Sequence, residues 1–250
     1  MKYKALILDL DGTVIPQGSE EPPSVRVTNA IARAKDVIHI TVASGRPLHV
    51  ARYIIDHLSL SGPCVLHNGA QIYDPVKKTI ISSYPLGQQV LPEIFSVLKK
   101  YSYTILLSDG ESDVVYDWNN IPGVIMSAWM DVVDRSDIDD IVNELQKISG
   151  VSVHKMPAKN KEGSFAVEAT NAQATKLHGI TEIMKLLHIN KEEVIGVGDS
   201  YNDFPLLMAS GLKIAMGNAV PEIKAIADFI APSVEEDGVA TVIEKFILAS

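Results

Sequence analysis

Apolar and polar positions follow one rhythm at both ends of this chain and another in its middle. Near the N-terminus, Ala5-Leu6-Ile7-Leu8 is a short unbroken apolar run closed by Asp9-Leu10-Asp11-Gly12-Thr13. That pattern predicts a strand buried on both faces and ended by a turn. A Gly/Pro-rich stretch from Gly12 to Pro23 leads to a helix predicted from about Ser24 to Lys35. Val37 to Ala43 reads as a second buried strand stopped by Ser44-Gly45, and a helix from Pro47 to about Leu58 follows, with proline in its first turn. Cys64-Val65-Leu66 makes a further short strand running into His67-Asn68-Gly69. Continuous apolar strands alternating with helices imply a parallel sheet covered on both faces.

From about Tyr84 to Thr170 the texture changes to alternating strands and turn signals, such as Tyr103 to Leu107, Asp109-Gly110 and Val114 to Tyr116. A helix is predicted from Ile138 to Ile148, with strands at Val151 to His154 and Phe165 to Ala169. The first rhythm resumes after Ala172: a helix over about Thr175 to Leu187, the strand Val194 to Val197, a helix from Phe204 to about Ser210, the strand Lys213 to Met216, and helices at Pro221 to Ala227 and Ala240 to Leu248. The predicted fold class is therefore α/β. Residues 1–83 and 172–250 form a doubly wound, Rossmann-like parallel-sheet core, and residues 84–171 form an inserted α+β domain.

Composition narrows the functions this architecture can serve. With 250 residues and 46% hydrophobic content the chain can bury a substantial core. A formal net charge of −9 leaves no basic surplus to neutralise a nucleic-acid backbone. The single cysteine, Cys64, cannot form an internal disulfide, which suits a reducing compartment. No secretory signal and no membrane-length apolar run is visible. A cytoplasmic protein with a small-molecule partner, no nucleic acid and no membrane is expected.

The candidate chemistry sits where the apolar strands stop. Side chains alternate faces along a strand, so Asp9 and Asp11 should project the same way beyond its end. Asp199 follows the Val194–Val197 run in the same manner, with Asn202 and Asp203 close behind. In open α/β sheets functional groups collect beyond the carboxyl ends of the strands. Acidic oxygens without histidine or cysteine companions fit a hard cation such as Mg²⁺.

At this point the chain resembles the haloacid dehalogenase-like phosphotransferases, most closely their Cof-type sugar- and cofactor-phosphatase branch. The resemblance rests on four ordered motifs: Asp9-Leu10-Asp11-Gly12-Thr13, Ser44-Gly45-Arg46, Lys176, and Gly198-Asp199-Ser200-Tyr201-Asn202-Asp203. Ser44 stands where the family commonly has threonine, and Leu177 where it often has glycine. The resemblance implies a Mg²⁺-dependent phosphatase acting on a small soluble phosphoester. Asp9 would be the nucleophile and Asp11 the general acid and base. Ser44, Gly45 and Lys176 would bind phosphate. Asp9, the Asp11 carbonyl and Asp199 would hold the metal, with Asp203 behind them. The inserted domain would act as a cap that reads the rest of the substrate, with Trp118, Asn119 and Lys155 to Lys161 as candidate positions.

Other roles stay open for several of these residues. Lys176 could be a solvated helix lysine; Asn202 is a substrate candidate, or else it and Asp203 cap the helix near Phe204. Arg46 could face substrate or make a surface ion pair. Asn68 is a substrate candidate, while Asn68 and Asn218 both suit left-handed backbone. Two other functions also stay open: a phosphomutase of the phosphomannomutase kind, whose last motif usually reads Gly-Gly-Asn-Asp, and a non-catalytic binder of phosphometabolites.

Overall fold

The computed structural model describes residues 2–117, 119, 121–158 and 161–249; of the candidate specificity positions, Trp118, Lys159 and Asn160 lie outside the described residues. Two compact units divide the chain: Met1–Ser82 together with Lys176–Ser250, and Ser83–Thr175.

The first unit opens with β1 (Ala5–Leu8), α1 (Val25–Ala34), β2 (His39–Val42), α2 (Leu48–His57), β3 (Cys64–Leu66), β4 (Gln71–Asp74) and β5 (Thr79–Ser83). The second unit follows with α3 (Leu91–Leu98), β6 (Ile105–Ser108), β7 (Asp113–Val115), β8 (Ser127–Val133), α4 (Ile138–Leu145), β9 (Val151–Pro157) and β10 (Phe165–Asn171). The chain then completes the first unit with α5 (Lys176–Leu186), β11 (Val194–Gly198), α6 (Phe204–Met208), β12 (Leu212–Ala215), α7 (Pro221–Ile226), β13 (Phe229–Ile230) and α8 (Gly238–Ile243).

The central sheet runs β13-β12-β11-β1-β2, and every paired neighbour is parallel. All four residues of β1 are completely buried, as a strand covered on both faces requires. α1 shows how the covering helices are written. The Ser24 hydroxyl accepts the Val27 N–H at 3.1 Å and caps its first turn, while Val27, Ala30, Ile31 and Ala34 point into the core. β3 meets this sheet at the parallel bridge Ala43–Val65 and pairs antiparallel with β4. At the end of β3, His67, Asn68 and Gly69 are three consecutive residues with positive φ (53°, 55° and 102°), all buried. The second unit is an antiparallel sheet ordered β7-β6-β8-β10-β9 with its own apolar core, to which α3 and α4 contribute Ile94, Leu98, Ile138 and Ile141. Among the described residues no helix is long and apolar enough to cross a membrane.

Candidate active site

Because β1, β2 and β11 run parallel, the segments that leave them emerge on one edge of the sheet. The Asp9 N–H donates to the Val197 carbonyl at 3.0 Å, so the ladder carries Asp9 one step past β1 beside the end of β11. Lys176, the first residue of α5, donates from Nζ to Asp9 Oδ1 at 2.6 Å and to Asp203 Oδ1 at 2.7 Å. Asp203 Oδ2 in turn accepts the N–H groups of Asp199 and Ser200, both at 3.0 Å. The Thr13 hydroxyl donates to Asp199 Oδ1 at 3.1 Å. Carboxylate oxygens of Asp9, Asp199 and Asp203 lie within 4.8 Å of one another, although Asp9 is 190 positions from Asp199 in the chain.

This cluster is dry: Asp9 is 4% exposed, Lys176 3%, Asp199 8% and Asp203 0%. Three buried carboxylates against one buried ammonium leave two negative charges without compensation, a costly arrangement in a protein interior. The ionisations show the strain. Desolvation first, and then the Asp203 charge, raise Asp9 well above the ordinary aspartate range. The same two causes push Asp199 up to about 7. Burial works against the Lys176 ammonium, but Asp203 and Asp9 outweigh it and hold its pKa above the usual lysine value. An all-oxygen donor set with two surplus negative charges fits a hard divalent cation.

The turn after β1 is shaped around the same cluster. Gly12 has φ +79°, and a Cβ there would stand 2.4 Å from Asp199 Oδ2, so only glycine fits. Asn218 Nδ2 donates to the Gly12 carbonyl at 2.8 Å, and Asn218 Oδ1 accepts the Val234 N–H at 2.9 Å. Asn218 thus straps the β1 turn to the segment after β13.

Asp11 is held by different partners. Arg46 donates from Nε to Asp11 Oδ2 at 2.7 Å and from Nη2 to Asp11 Oδ1 at 2.6 Å, and Gly18 N–H adds a bond to Oδ1 at 3.0 Å. Arg46 precedes α2 and is buried, so it makes neither a helix-surface ion pair nor a solvent-facing one. Its N–H donates to Ser44 Oγ at 3.1 Å. Ser44 is buried at the end of β2, its carbonyl accepting the Asn68 N–H at 3.1 Å. A Cβ on Gly45 would come within 3.0 Å of Asn68 Oδ1, so the glycine makes room for that carboxamide. Hydrogen bonds and chain neighbours therefore join Ser44, Arg46, Asp11, Gly12, Thr13, Asp199, Asp203, Lys176 and Asp9 in one continuous set.

Not every candidate joins this set. Asn202 is exposed. The Asp203 carboxylate closes the turn at Asp199-Ser200 and binds Lys176 instead of capping α6. Asn68 adopts left-handed backbone, and Asn218 does not. Asn119 donates to Asp117 Oδ1 at 3.0 Å, and Lys155 and Lys161 pair with Asp139 and Asp134. Thr13, quoted only as part of the first motif, and Asn218, read only as suited to left-handed backbone, carry side-chain bonds that the sequence analysis does not foresee. The Gly217-Asn218 turn after β12 was the available signal for the second.

The comparisons with known proteins agree with this frame. The profile of the family described as haloacid dehalogenase-like hydrolase matches residues 6–121 and 118–243. The chain is 24% identical over 250 residues to the 5-amino-6-(5-phospho-D-ribitylamino)uracil phosphatase YcsE of Bacillus subtilis, spanning 98% of this chain and 96% of that protein. It is 25% identical over 252 residues to phosphoglycolate phosphatase 1 of Saccharolobus solfataricus, again spanning 98% and 96%. A crystal structure of a haloacid dehalogenase-like hydrolase from Bacteroides thetaiotaomicron superposes with a TM-score of 0.83 at 26% identity, covering 98% of this chain and 99% of that one. The profile match runs across both units and includes all the strand-end acids, and on that ground the chain belongs to the haloacid dehalogenase-like hydrolase family.

Proposed function

We propose that this chain is a phosphatase that releases inorganic phosphate from a small phosphomonoester, a sugar phosphate or phosphorylated cofactor, with Asp9 as the nucleophile. The observation that carries this reading is the pairing of two differently held acids two residues apart. Asp9 is buried against Lys176, and Asp11 is part-exposed in the fork of Arg46. The two relatives named above are phosphatases by name, which supports the same class.

Asp9 Oδ1 is engaged by Lys176, which leaves Oδ2 to attack phosphorus. An Asp9–phosphorus bond forms as the bond to the leaving oxygen breaks, and Asp11 gives that oxygen its proton. Water then attacks the phosphoryl group, Asp11 takes the water proton, and phosphate leaves with Asp9 restored. Lys176 remains cationic throughout and offsets charge on Asp9 and the phosphoryl oxygens. The Ser44 hydroxyl donates to one of those oxygens. Asp9, the Asp11 carbonyl and Asp199 would hold Mg²⁺, whose charge would screen the approach of two anions. The unit Ser83–Thr175 reads the alcohol part of the substrate.

The test is phosphate release from a panel of sugar, polyol and cofactor phosphates with Mg²⁺ present. Wild-type activity, its loss in Asp9→Asn, and hydroxylamine-labile phosphate on Asp9 after rapid quench are expected. Full activity in Asp9→Asn would end the nucleophile assignment.

A further inference from the structure

Arg46 is 6% exposed, and its guanidinium hydrogen bonds go to the protein itself. Nε and Nη2 grip Asp11, and Nη2 also donates to the Ser19 carbonyl at 2.7 Å. The remaining nitrogen, Nη1, lies 3.5 Å from the Tyr53 hydroxyl. A guanidinium so engaged has little left for a substrate anion, and its rigid fork fixes both oxygens of one carboxylate.

The bonds divide the two Asp11 oxygens unequally. A carboxylate oxygen offers two lone-pair sites. Oδ1 uses both, for Arg46 Nη2 and the Gly18 N–H. Oδ2 uses one, for Arg46 Nε. Building on the phosphatase reading, we propose that Arg46 is a positioning residue that presents Asp11 Oδ2 as the atom that carries the proton to and from the substrate.

The loop 12–19 around Asp11 has no regular helix or strand. The Gly18 N–H to Asp11 and Arg46 to the Ser19 carbonyl are two of the bonds that close it. Without the Arg46 fork Asp11 keeps only the Gly18 N–H bond to Oδ1, and Oδ2 loses the partner that fixes its direction. The step at stake is balanced simply. The phosphorus–oxygen bond of the substrate breaks, its electron pair stays on the leaving oxygen, and the proton on Oδ2 moves to that oxygen. In the second half, a water proton moves to Oδ2 as the water oxygen bonds to phosphorus.

Leaving groups differ in their need for that proton, which separates positioning from mere structure. p-Nitrophenolate departs without protonation, whereas an alkoxide requires it. In Arg46→Met, kcat/KM for the best alkyl phosphate of the panel should fall about 100-fold or more, the usual scale of general acid catalysis. For p-nitrophenyl phosphate it should change little. Arg46→Lys, which keeps the charge and loses the fork, should lie between. Arg46→Met added to Asp11→Asn should cost nothing further on the alkyl phosphate, since Arg46 acts through Asp11. Equal losses on both substrates, or a rise in KM alone, would overturn the inference while leaving the phosphatase reading intact. A wild-type protein that releases phosphate from no substrate overturns both. If Arg46→Met fails to fold, the Lys variant and its additivity with Asp11→Asn decide the matter in the same way.

Discussion

At the scale of single residues, the acid cluster is governed by charge balance in a dry place. Lys176 is the only ammonium bonded to Asp9 and Asp203 among the described residues. Replacing it with methionine keeps the packing volume and removes the charge, leaving carboxylates buried without a partner. In metal-free protein the loss should be about 3–5 kcal/mol. It should be larger at pH 8 than at pH 5, because Asp9 already resists ionisation and at low pH a proton can take the place of the missing cation. Urea unfolding in EDTA at the two pH values measures this, and a pH-independent loss would contradict it. Gly12→Ala makes a steric counterpart. The new methyl would meet Asp199 Oδ2 at a backbone angle that L-residues avoid. A loss of about 1–3 kcal/mol and weakened divalent-cation binding should appear together. The acids themselves were legible in sequence because strand-end positions are set by local pattern. Their clamps were not: Thr13 reaches Asp199 across 186 positions, and Asn218 reaches Gly12 across 206. Such pairs exist only once the sheet has brought distant turns together.

At the scale of elements, legibility followed burial. The strands β1, β2 and β11 are covered on both faces, so unbroken apolar runs announce them. β5 is exposed along nearly its whole length, with both Ile80 and Ile81 at the surface, and no alternation marks it. β8 occupies the middle of the second sheet, yet its sequence Ser-Ala-Trp-Met-Asp-Val-Val buries serine and alanine side by side and half-exposes tryptophan. α3 carried a readable apolar set at Leu91, Ile94, Phe95 and Leu98, spaced for one helix face, that the predicted elements passed over. The left-handed run His67-Asn68-Gly69 is the element whose conformation matters most for the site, since its N–H groups bond the Ser44 and Arg46 carbonyls. Two substitutions at Asn68 separate backbone from side chain. Asn68→Ala forces alanine into left-handed geometry and should lower stability by about 1 kcal/mol. Asn68→Gly accepts that geometry and should be the more stable of the two by thermal unfolding. Both delete the carboxamide, so any defect in substrate KM that they share belongs to the side chain, and a reversed stability order would refute the backbone argument.

At the scale of the whole molecule, the surplus acid should tie folding to pH and, on the reading proposed above, to divalent cations. In the unfolded chain Asp199 gives up its proton near 3.8, whereas in the metal-free fold it keeps it to about 7. Between those values the folded state holds more protons than the unfolded one. Stability of the metal-free protein must therefore fall as pH rises through that window, the reverse of a salt-bridged aspartate. A divalent cation held there would compete for the same oxygens, and its advantage would grow as the proton leaves. At a hundredfold excess over Kd, Mg²⁺ should add about 2.7 kcal/mol, raising the unfolding temperature by about 5 °C or more. The gap between unfolding curves in Mg²⁺ and in EDTA should widen from pH 5 to pH 8. Titrating Mg²⁺ into the protein at pH 6 in two buffers of different ionisation heat should show net proton release. The net charge of −9 makes a general salt effect the competing explanation, because any cation relieves self-repulsion. NaCl at matched ionic strength controls for it, and so does Asp199→Asn, which removes the competing oxygen while the net charge becomes less negative by one. Collapse of the pH-dependent gap in that variant, with the NaCl response retained, assigns the coupling to the buried cluster. A gap of constant width across pH in the wild-type protein would show that no proton is exchanged for the cation.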